Sequence, residues 1–311
     1  MNQIIPRIDI CIATYKRPHL LRKVLNSLLC QETEGKFSYG IIVSDNDNNR
    51  SAEPIVNEFA NQSIRISYDV EPERNISLNR NRALSHASGD YIAIIDDDQY
   101  VGNRWLLSLF KTVVSFNADV VFGAIISVFE ENTSILIRKS NAFGVPNFPE
   151  GFSGNMIYHT GNCCFRSEII SDMSAPFDSN LGDHVGEDTK FFETLRRKGC
   201  KMVWSHQAVC NEYIPPHRAK LSWLLNRYFQ TGFMLFPTCG EERGCEIISL
   251  FQPMKSIHLL LKIAKTTLFF PLFMALSLVN TNYIPNAVNN LKYFAMYLGC
   301  SYYLLGRKHN G

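Results

Sequence analysis

An α/β fold built on a central, mostly parallel sheet is predicted by three observations. Short apolar runs alternate with helix-length stretches over the first hundred residues. One of those runs, YIAIID, is apolar almost throughout, as a strand buried on both faces should be. The chain also carries 46% hydrophobic residues in 311, enough to bury a full core.

The elements follow in order. IDICIAT reads as the first strand and Pro18 to Cys30 as a helix. Proline suits a first helical turn because it lacks the N–H that would be unpaired there, and Leu20, Leu21, Val24, Leu25 and Leu28 then recur at helical spacing. YGIIVSD is a second strand, Glu53 to Ala60 a helix, IRISYDV a third strand, and Ser77 to Ala87 a helix ending near Gly89. YIAIID follows, with Asp96, Asp97 and Asp98 at its carboxyl end. Trp105 to Ser115 is expected to be helical and ADVVFGAII a strand. Residues 130–158, with Gly144, Pro146, Pro149, Gly151 and Gly154, are expected to form an irregular loop over the site. GEDTKFFETLRRKG then reads as a helix, KMVWS as a short strand and AKLSWLLNRYFQTGF as a long helix.

The last part differs in kind. From Ile247 to Gly311 there is no acidic residue, whereas Lys255, Lys262, Lys265, Lys292, Arg307 and Lys308 are basic and apolar residues fill the intervals. The longest uncharged stretch, Thr266 to Thr281, contains Pro271 and falls short of the roughly 20 residues that span a bilayer. Tyr293 to Leu305 is shorter still. Amphipathic helices lying on an anionic cytoplasmic leaflet fit better than a span, because basic side chains beside apolar faces gain from both burial and surface potential. Helices packed only on the catalytic domain are the alternative. The expected organisation is a catalytic domain over 1–235 and a basic, apolar membrane-association segment over 236–311.

Charge and cysteine usage narrow the class. With 31 basic and 29 acidic residues the net charge is +2, so no basic excess points to nucleic acid. The nine cysteines are odd in number and lack CxxC spacing, which reads as reduced thiols in a cytosolic protein. A strand begins almost at once, with no charged and apolar leader before it, so secretion is not expected.

Carboxylates at the carboxyl end of a strand suit one task well. In open α/β sheets ligands bind outside those ends, and a departing diphosphate needs Mg²⁺ or Mn²⁺ held by a carboxylate, with phosphate and water completing the shell. On residue type alone the triplet is equally an exposed acidic turn.

The order IATYKRP, VSDND, LNRNRAL, IIDDD, GED resembles the family 2 glycosyltransferases of the GT-A (nucleotide-diphospho-sugar transferase) fold, over about residues 7–232. The resemblance implies that Thr14, Tyr15 and Arg17 touch the nucleotide, that Asp45 contacts the uracil, and that Arg80 meets the nucleotide or diphosphate. Asn79 departs from the family's Ala-Arg-Asn pattern, which Arg80 and Asn81 keep. It further implies Asp98 as the main metal ligand, with Asp96 and Asp97 sharing contacts to ribose and metal. Asp188 becomes the base that deprotonates the acceptor, with Glu187 positioning it or binding the acceptor. A first helical turn favours such acids through the helix dipole alone, so the pair carries little weight outside this context. Gly161 and Asn162 fall where the family has a strand near the acceptor. Glu212 stands where many relatives place a metal-binding histidine, and a carboxylate there still suits a hard cation. His206 and His217 read as surface or core residues.

The segment IPPHRAKLSWLLNRYFQTG resembles a subgroup that builds bacterial exopolysaccharide or lipopolysaccharide repeats, and the Gln-x-x-Arg-Trp motif of processive synthases is missing. The expected activity is therefore inverting, non-processive transfer from a UDP-sugar to a lipid-linked saccharide at the inner face of a bacterial membrane. The rivals are a sugar nucleotidyltransferase, disfavoured because CIATYKRPHL has no glycine for a triphosphate loop, and a non-catalytic membrane assembly protein that keeps the fold.

Overall fold

The computed structural model describes residues 5–154, 156, 158–182, 186–240, 271 and 280–307. The chain forms two compact units. One comprises Met1–Ser127, Val145–Asp183 and Glu187–Tyr213, the other Val128–Gly144, His184–Gly186 and Ile214–Gly311.

The first unit is built on an eight-stranded sheet: β1 (Arg7–Thr14), β2 (Ser38–Asp45), β3 (Ile66–Val70), β4 (Tyr91–Ile95), β5 (Gln99–Val101), β6 (Val120–Phe129), β7 (Asn162–Arg166) and β8 (Met202–Ile214). The spatial order is β3-β2-β1-β4-β7-β6-β8-β5. The first four neighbours run parallel, so β1, β2 and β4 bring their carboxyl ends to one edge. β7 enters antiparallel between β4 and β6, and β5 pairs antiparallel with β8.

Side-chain alternation divides the sheet's two faces. Ile10, Ile41, Val43 and Ala93 join one apolar cluster with α1 (Pro18–Leu28), α2 (Glu53–Glu58) and α4 (Trp105–Ser115). Their neighbours Cys11, Ile42, Ile92 and Ile94 join a second with α3 (Ile76–Ser85) and α6 (Glu187–Arg197). Leu21, Val24, Leu25 and Leu28 are all buried, the stripe that the spacing in α1 predicts.

Three departures from the sequence reading have local causes. β8 runs for 13 residues rather than stopping after KMVWS, because pairing with β5 and β6 extends a strand that His206, Gln207, Asn211 and Glu212 make polar. β5 is a further strand, only three residues long and paired Gln99 to Glu212, Tyr100 to Asn211 and Val101 to Cys210. The stretch expected to be irregular contains a single helical turn, α5 (Ile135–Arg138), capped by Ser134. Its later part is tied to β8: Gly151 N–H donates to Trp204 O, and Trp204 N–H to Phe152 O.

Gly123 lets β6 approach β8. A Cβ there would lie 1.9 Å from Ala208 O and 2.7 Å from the Asn162 amide nitrogen. Gly123→Ala is expected to cost about 1–3 kcal/mol, as overpacking of a core does, read as a lowered thermal midpoint.

In the second unit, α7 (Leu221–Gly240) packs on α8 (Ile284–Arg307). The backbones touch at glycines: a Cβ on Gly232 would meet Met296 O at 1.9 Å, and one on Gly299 would meet Phe229 O at 2.0 Å. Leu224, Ile284 and Val288 form a small core with Ala142. Tyr293, Leu298 and Tyr302 of α8 are exposed. Lys292 lies 4.5 Å from the Tyr228 ring centroid, and burial pulls its ammonium pKa down to about 8. Among the described residues no helix is long and apolar enough to cross a membrane. Tyr293 to Leu305 falls within α8, whereas most of Thr266 to Thr281 lies outside the described residues.

Candidate active site

The site assembles where β1, β2 and β4 end. After Thr14 the chain turns sharply, with Lys16 in the left-handed region at φ 54°, and returns Arg17 towards β4. The Thr14 hydroxyl donates to Asp97 Oδ2 at 2.7 Å. Arg17 Nη1 donates to Asp97 Oδ1 at 2.9 Å and to Asp98 Oδ2 at 3.2 Å. Burial pushes the Asp97 carboxyl up, against the pull of Arg17 and the Thr14 hydrogen bond. Both Asp97 oxygens are thus engaged in bracing the loop after β1 against the end of β4. Thr14 shares that bracing, and Arg17 places a positive charge between two members of the triplet.

Asp45 closes β2 and is fully buried. Its carboxylate accepts from the N–H groups of Asp47 at 3.0 Å and Ala52 at 2.8 Å, and from the Tyr68 hydroxyl at 3.0 Å. The next residue, Asn46, donates to Glu71 O and Glu73 O and accepts from Asn75 N–H, tying β2 to the entry of α3. Asn75 caps that helix by accepting from Leu78 N–H. In the loop after β1, Tyr15 has Lys16 at 5.2 Å and Arg74 at 5.3 Å from its ring centroid, a basic and aromatic group. Asp47, Arg74 and Asn75 were missed by motif reading, because a single Arg or Asp in a loop carries no signal until the fold sets it beside the others.

The third part joins α3, α6 and β4. Arg80 is nearly buried. Its Nη1 donates to Glu187 Oε1 at 2.5 Å and its Nη2 to Asp96 Oδ1 at 3.4 Å, with the Phe177 ring 5.6 Å from the guanidinium. Glu187 and Asp188 occupy the first turn of α6, where the helix dipole favours carboxylates. Burial outweighs that at Asp188: desolvation, then the Glu187 charge, push its carboxyl up to about 6, while Arg80 and the Thr189 N–H, 2.7 Å away, hold it down.

Asp96 Oδ2 lies close to Gly161, where an added Cβ would come within 2.8 Å, and the Asp96 N–H donates to Gln99 Oε1 at 3.1 Å. Gln99 was also absent from the sequence reading, although it follows the triplet directly. Asn162 is fully buried: it accepts from Trp105 Nε1–H and donates to Ala124 O and Ala208 O, so its amide stitches β6, β7 and β8 together. Glu212 sits opposite Gln99 on β8, and the following Tyr213 N–H donates to Asp98 O at 2.9 Å. Burial, then the charges of Glu212, Asp96 and Asp98, raise the Cys210 thiol. His206 is exposed, with its ring nitrogen 3.0 Å from Phe148 O, and His217 is exposed.

No three His, Cys, Asp or Glu side chains among the described residues close round a common point. The donor set is nevertheless of the hard-oxygen type that suits Mg²⁺ or Mn²⁺. Such ions take one or two carboxylates and leave their remaining positions to phosphate and water, rather than needing a closed protein cage.

The mixed sheet gathers an acidic triplet and a basic loop at its strand ends, with a carboxylate pair beside them, and its relatives make the protein a glycosyltransferase of the GT-A fold. The chain belongs to glycosyl transferase family 2, whose model matches residues 9–173. It is 31% identical over 227 residues, 72% of each chain, to the succinoglycan biosynthesis protein ExoM of Rhizobium meliloti (strain 1021). Two solved structures are similar in fold. The mannosyltransferase PcManGT from Pyrobaculum calidifontis, in complex with GDP-Man and Mn²⁺, matches with a TM-score of 0.62 at 18% identity, covering 96% of this chain and 88% of that one. S. aureus TarS 1–349 in complex with UDP-GlcNAc matches at 0.53 and 12% identity, covering 96% and 92%.

Proposed function

We propose that the protein transfers one sugar at a time, with inversion, from a UDP-sugar to a lipid-linked oligosaccharide during synthesis of a bacterial surface polysaccharide, with UDP-glucose the first donor to test. The observation that carries this reading is that the acidic triplet and the Glu187–Asp188 pair are joined through a single guanidinium, Arg80 bonding Asp96 and Glu187, which lie 91 residues apart in the chain.

The chain's own groups divide the work. Asp188 takes the proton from the acceptor hydroxyl as its oxygen attacks the anomeric carbon, and the bond from that carbon to the diphosphate breaks on the opposite face. A base with a pKa near 6 is ionised at neutral pH yet basic enough to assist. Asp98, with Asp96 and Glu212 as the further candidates at the same strand ends, would hold Mg²⁺ or Mn²⁺. That ion would supply charge neutralisation for the departing diphosphate. Arg17 adds a fixed cation at the same end. Tyr15, Lys16 and Arg74 offer an aromatic and basic group for the nucleotide.

The ExoM likeness supports the polysaccharide setting. The basic, acid-free stretch from Ile247 onward and the exposed Tyr293, Leu298 and Tyr302 support residence on the cytoplasmic face of the plasma membrane. Lying beside a lipid-bound acceptor raises its effective concentration without any new contact. The protein is expected to pellet with liposomes containing anionic lipid, and to do so less as salt rises, since surface attraction is screened. Incubation with UDP-glucose, Mn²⁺ and a lipid-linked acceptor should give a product whose anomeric configuration, read by NMR coupling, is opposite to the donor's. A retained configuration, or hydrolysis alone, overturns the reading.

A further inference from the structure

The family resemblance makes Arg80 a nucleotide or diphosphate contact, but its surroundings favour another part. The side chain is 9% exposed and enclosed between three elements. Its two terminal nitrogens face inward to Glu187 on α6 and Asp96 on β4, its third nitrogen, Nε, is buried without a hydrogen-bond partner among the described residues, and its flat face lies towards Phe177. A guanidinium that greets an incoming diphosphate needs an open fork. This one is closed by two carboxylates from different parts of the chain.

We infer that Arg80 is a positioning residue: it fastens the first turn of α6 to the end of β4, so that Asp188 is held at a fixed place relative to Asp96. The inference rests on the transferase reading above and deepens it by assigning Arg80 to the base rather than to the donor.

The charges around Asp188 make the consequence calculable in sign. Glu187 from its own helix and Asp96 from β4 both raise its pKa, as burial does. Arg80 from α3 is the cationic side chain opposing them, and the Thr189 N–H assists it. Removing Arg80 leaves three influences that favour the protonated acid. An opposite charge within about 4–6 Å moves a carboxyl by about 1–3 pH units, so loss of Arg80 should leave the base more protonated near neutrality.

The experiment compares the full-length protein with Arg80→Gln, Arg80→Lys and Glu187→Gln. Transfer is followed against pH, UDP binding is followed by thermal shift with Mn²⁺, and the carboxyl signal of Asp188 is followed by ¹³C NMR of aspartate-labelled protein, assigned with Asp188→Asn. In Arg80→Gln the Asp188 midpoint and the acid limb of transfer should both move up by about 1–3 pH units, while the UDP-dependent shift persists. Arg80→Lys should recover much of the midpoint and less of the rate, since it restores charge without the two-pronged geometry. Combining Arg80→Gln with Glu187→Gln should lower transfer by less than the product of the two single losses. Loss of UDP binding in step with activity, with the Asp188 midpoint unmoved, would overturn the inference and return Arg80 to the donor. Wild-type protein that binds no nucleotide and transfers no sugar would instead sink the transferase reading itself. Comparison of melting curves for Arg80→Gln and Arg80→Lys separates both outcomes from simple unfolding.

Discussion

Asp188→Asn is expected to lower sugar transfer by about 10²–10⁴-fold, the range attributed to a positioned general base, while leaving metal-dependent nucleotide binding in place. The amide keeps the shape and the contact with Thr189 but cannot take a proton from the acceptor. The same substitution is expected to stabilise the fold. The Asp188 carboxyl is held at about 6, above the ordinary value of 3.8, so the folded state binds a proton that the unfolded chain has released. The penalty is absent below the unfolded value, grows as pH rises from about 4 to about 6, and is constant above. Because Asp188 is only partly enclosed, its size at pH 7.5 is about 1–3 kcal/mol, against 1.36 kcal/mol for each pH unit of displacement. Asp188→Asn should therefore melt higher than wild type at pH 7.5, and the gap should close as pH falls below 6. A variant that retains full transfer removes Asp188 from the chemistry.

Asp98→Asn is the second large effect. Asp98 is almost buried, shares Arg17 with Asp97, and accepts at its backbone carbonyl from Tyr213 N–H, next to Glu212 on β8. Loss of an outer-shell partner of a metal ligand costs roughly 10–100-fold in metal affinity, and loss of the main ligand should exceed that. The fold itself should survive, because Arg17 remains paired with Asp97 and one carboxylate fewer lessens the repulsion within the triplet. The expected phenotype is a normally folded protein in which Mn²⁺ no longer promotes UDP binding, measured by titration calorimetry with and without the ion. Wild-type metal dependence in Asp98→Asn would move the ligand role to Asp96 or Glu212.

Much of this was legible in the chain because the information is local. Periodicity placed β1 to β4 and the helices between them, since Leu21, Val24, Leu25 and Leu28 must face a core wherever that core lies. The triplet was legible for a related reason: an apolar run five residues long that ends in three acids can only present them at a strand end. What escaped depends on partners distant in sequence. β5 has three residues and no pattern of its own, and exists because β8 pairs with it. The polar half of β8 reads as loop until that pairing is known. No motif announces that Thr14 hydrogen-bonds Asp97 across 83 residues, bracing the loop after β1 against the end of β4. Arg80 is similar: nothing in LNRNRAL tells whether its guanidinium faces solvent, a phosphate or the acid pair 107 residues later.

The most direct measurement is a thermal-shift comparison of UDP, GDP and their sugar conjugates with and without Mn²⁺. Saturation at about 100 times the dissociation constant adds about 2.7 kcal/mol, which for a unit of this size raises the midpoint by about 5 °C or more. The expected result is such a rise for at least one nucleoside diphosphate, dependent on the ion and lost in Asp98→Asn. A panel in which no nucleotide stabilises the protein in a metal-dependent way would contradict the assignment of Asp96, Asp98 and Glu212 as the metal half of the site.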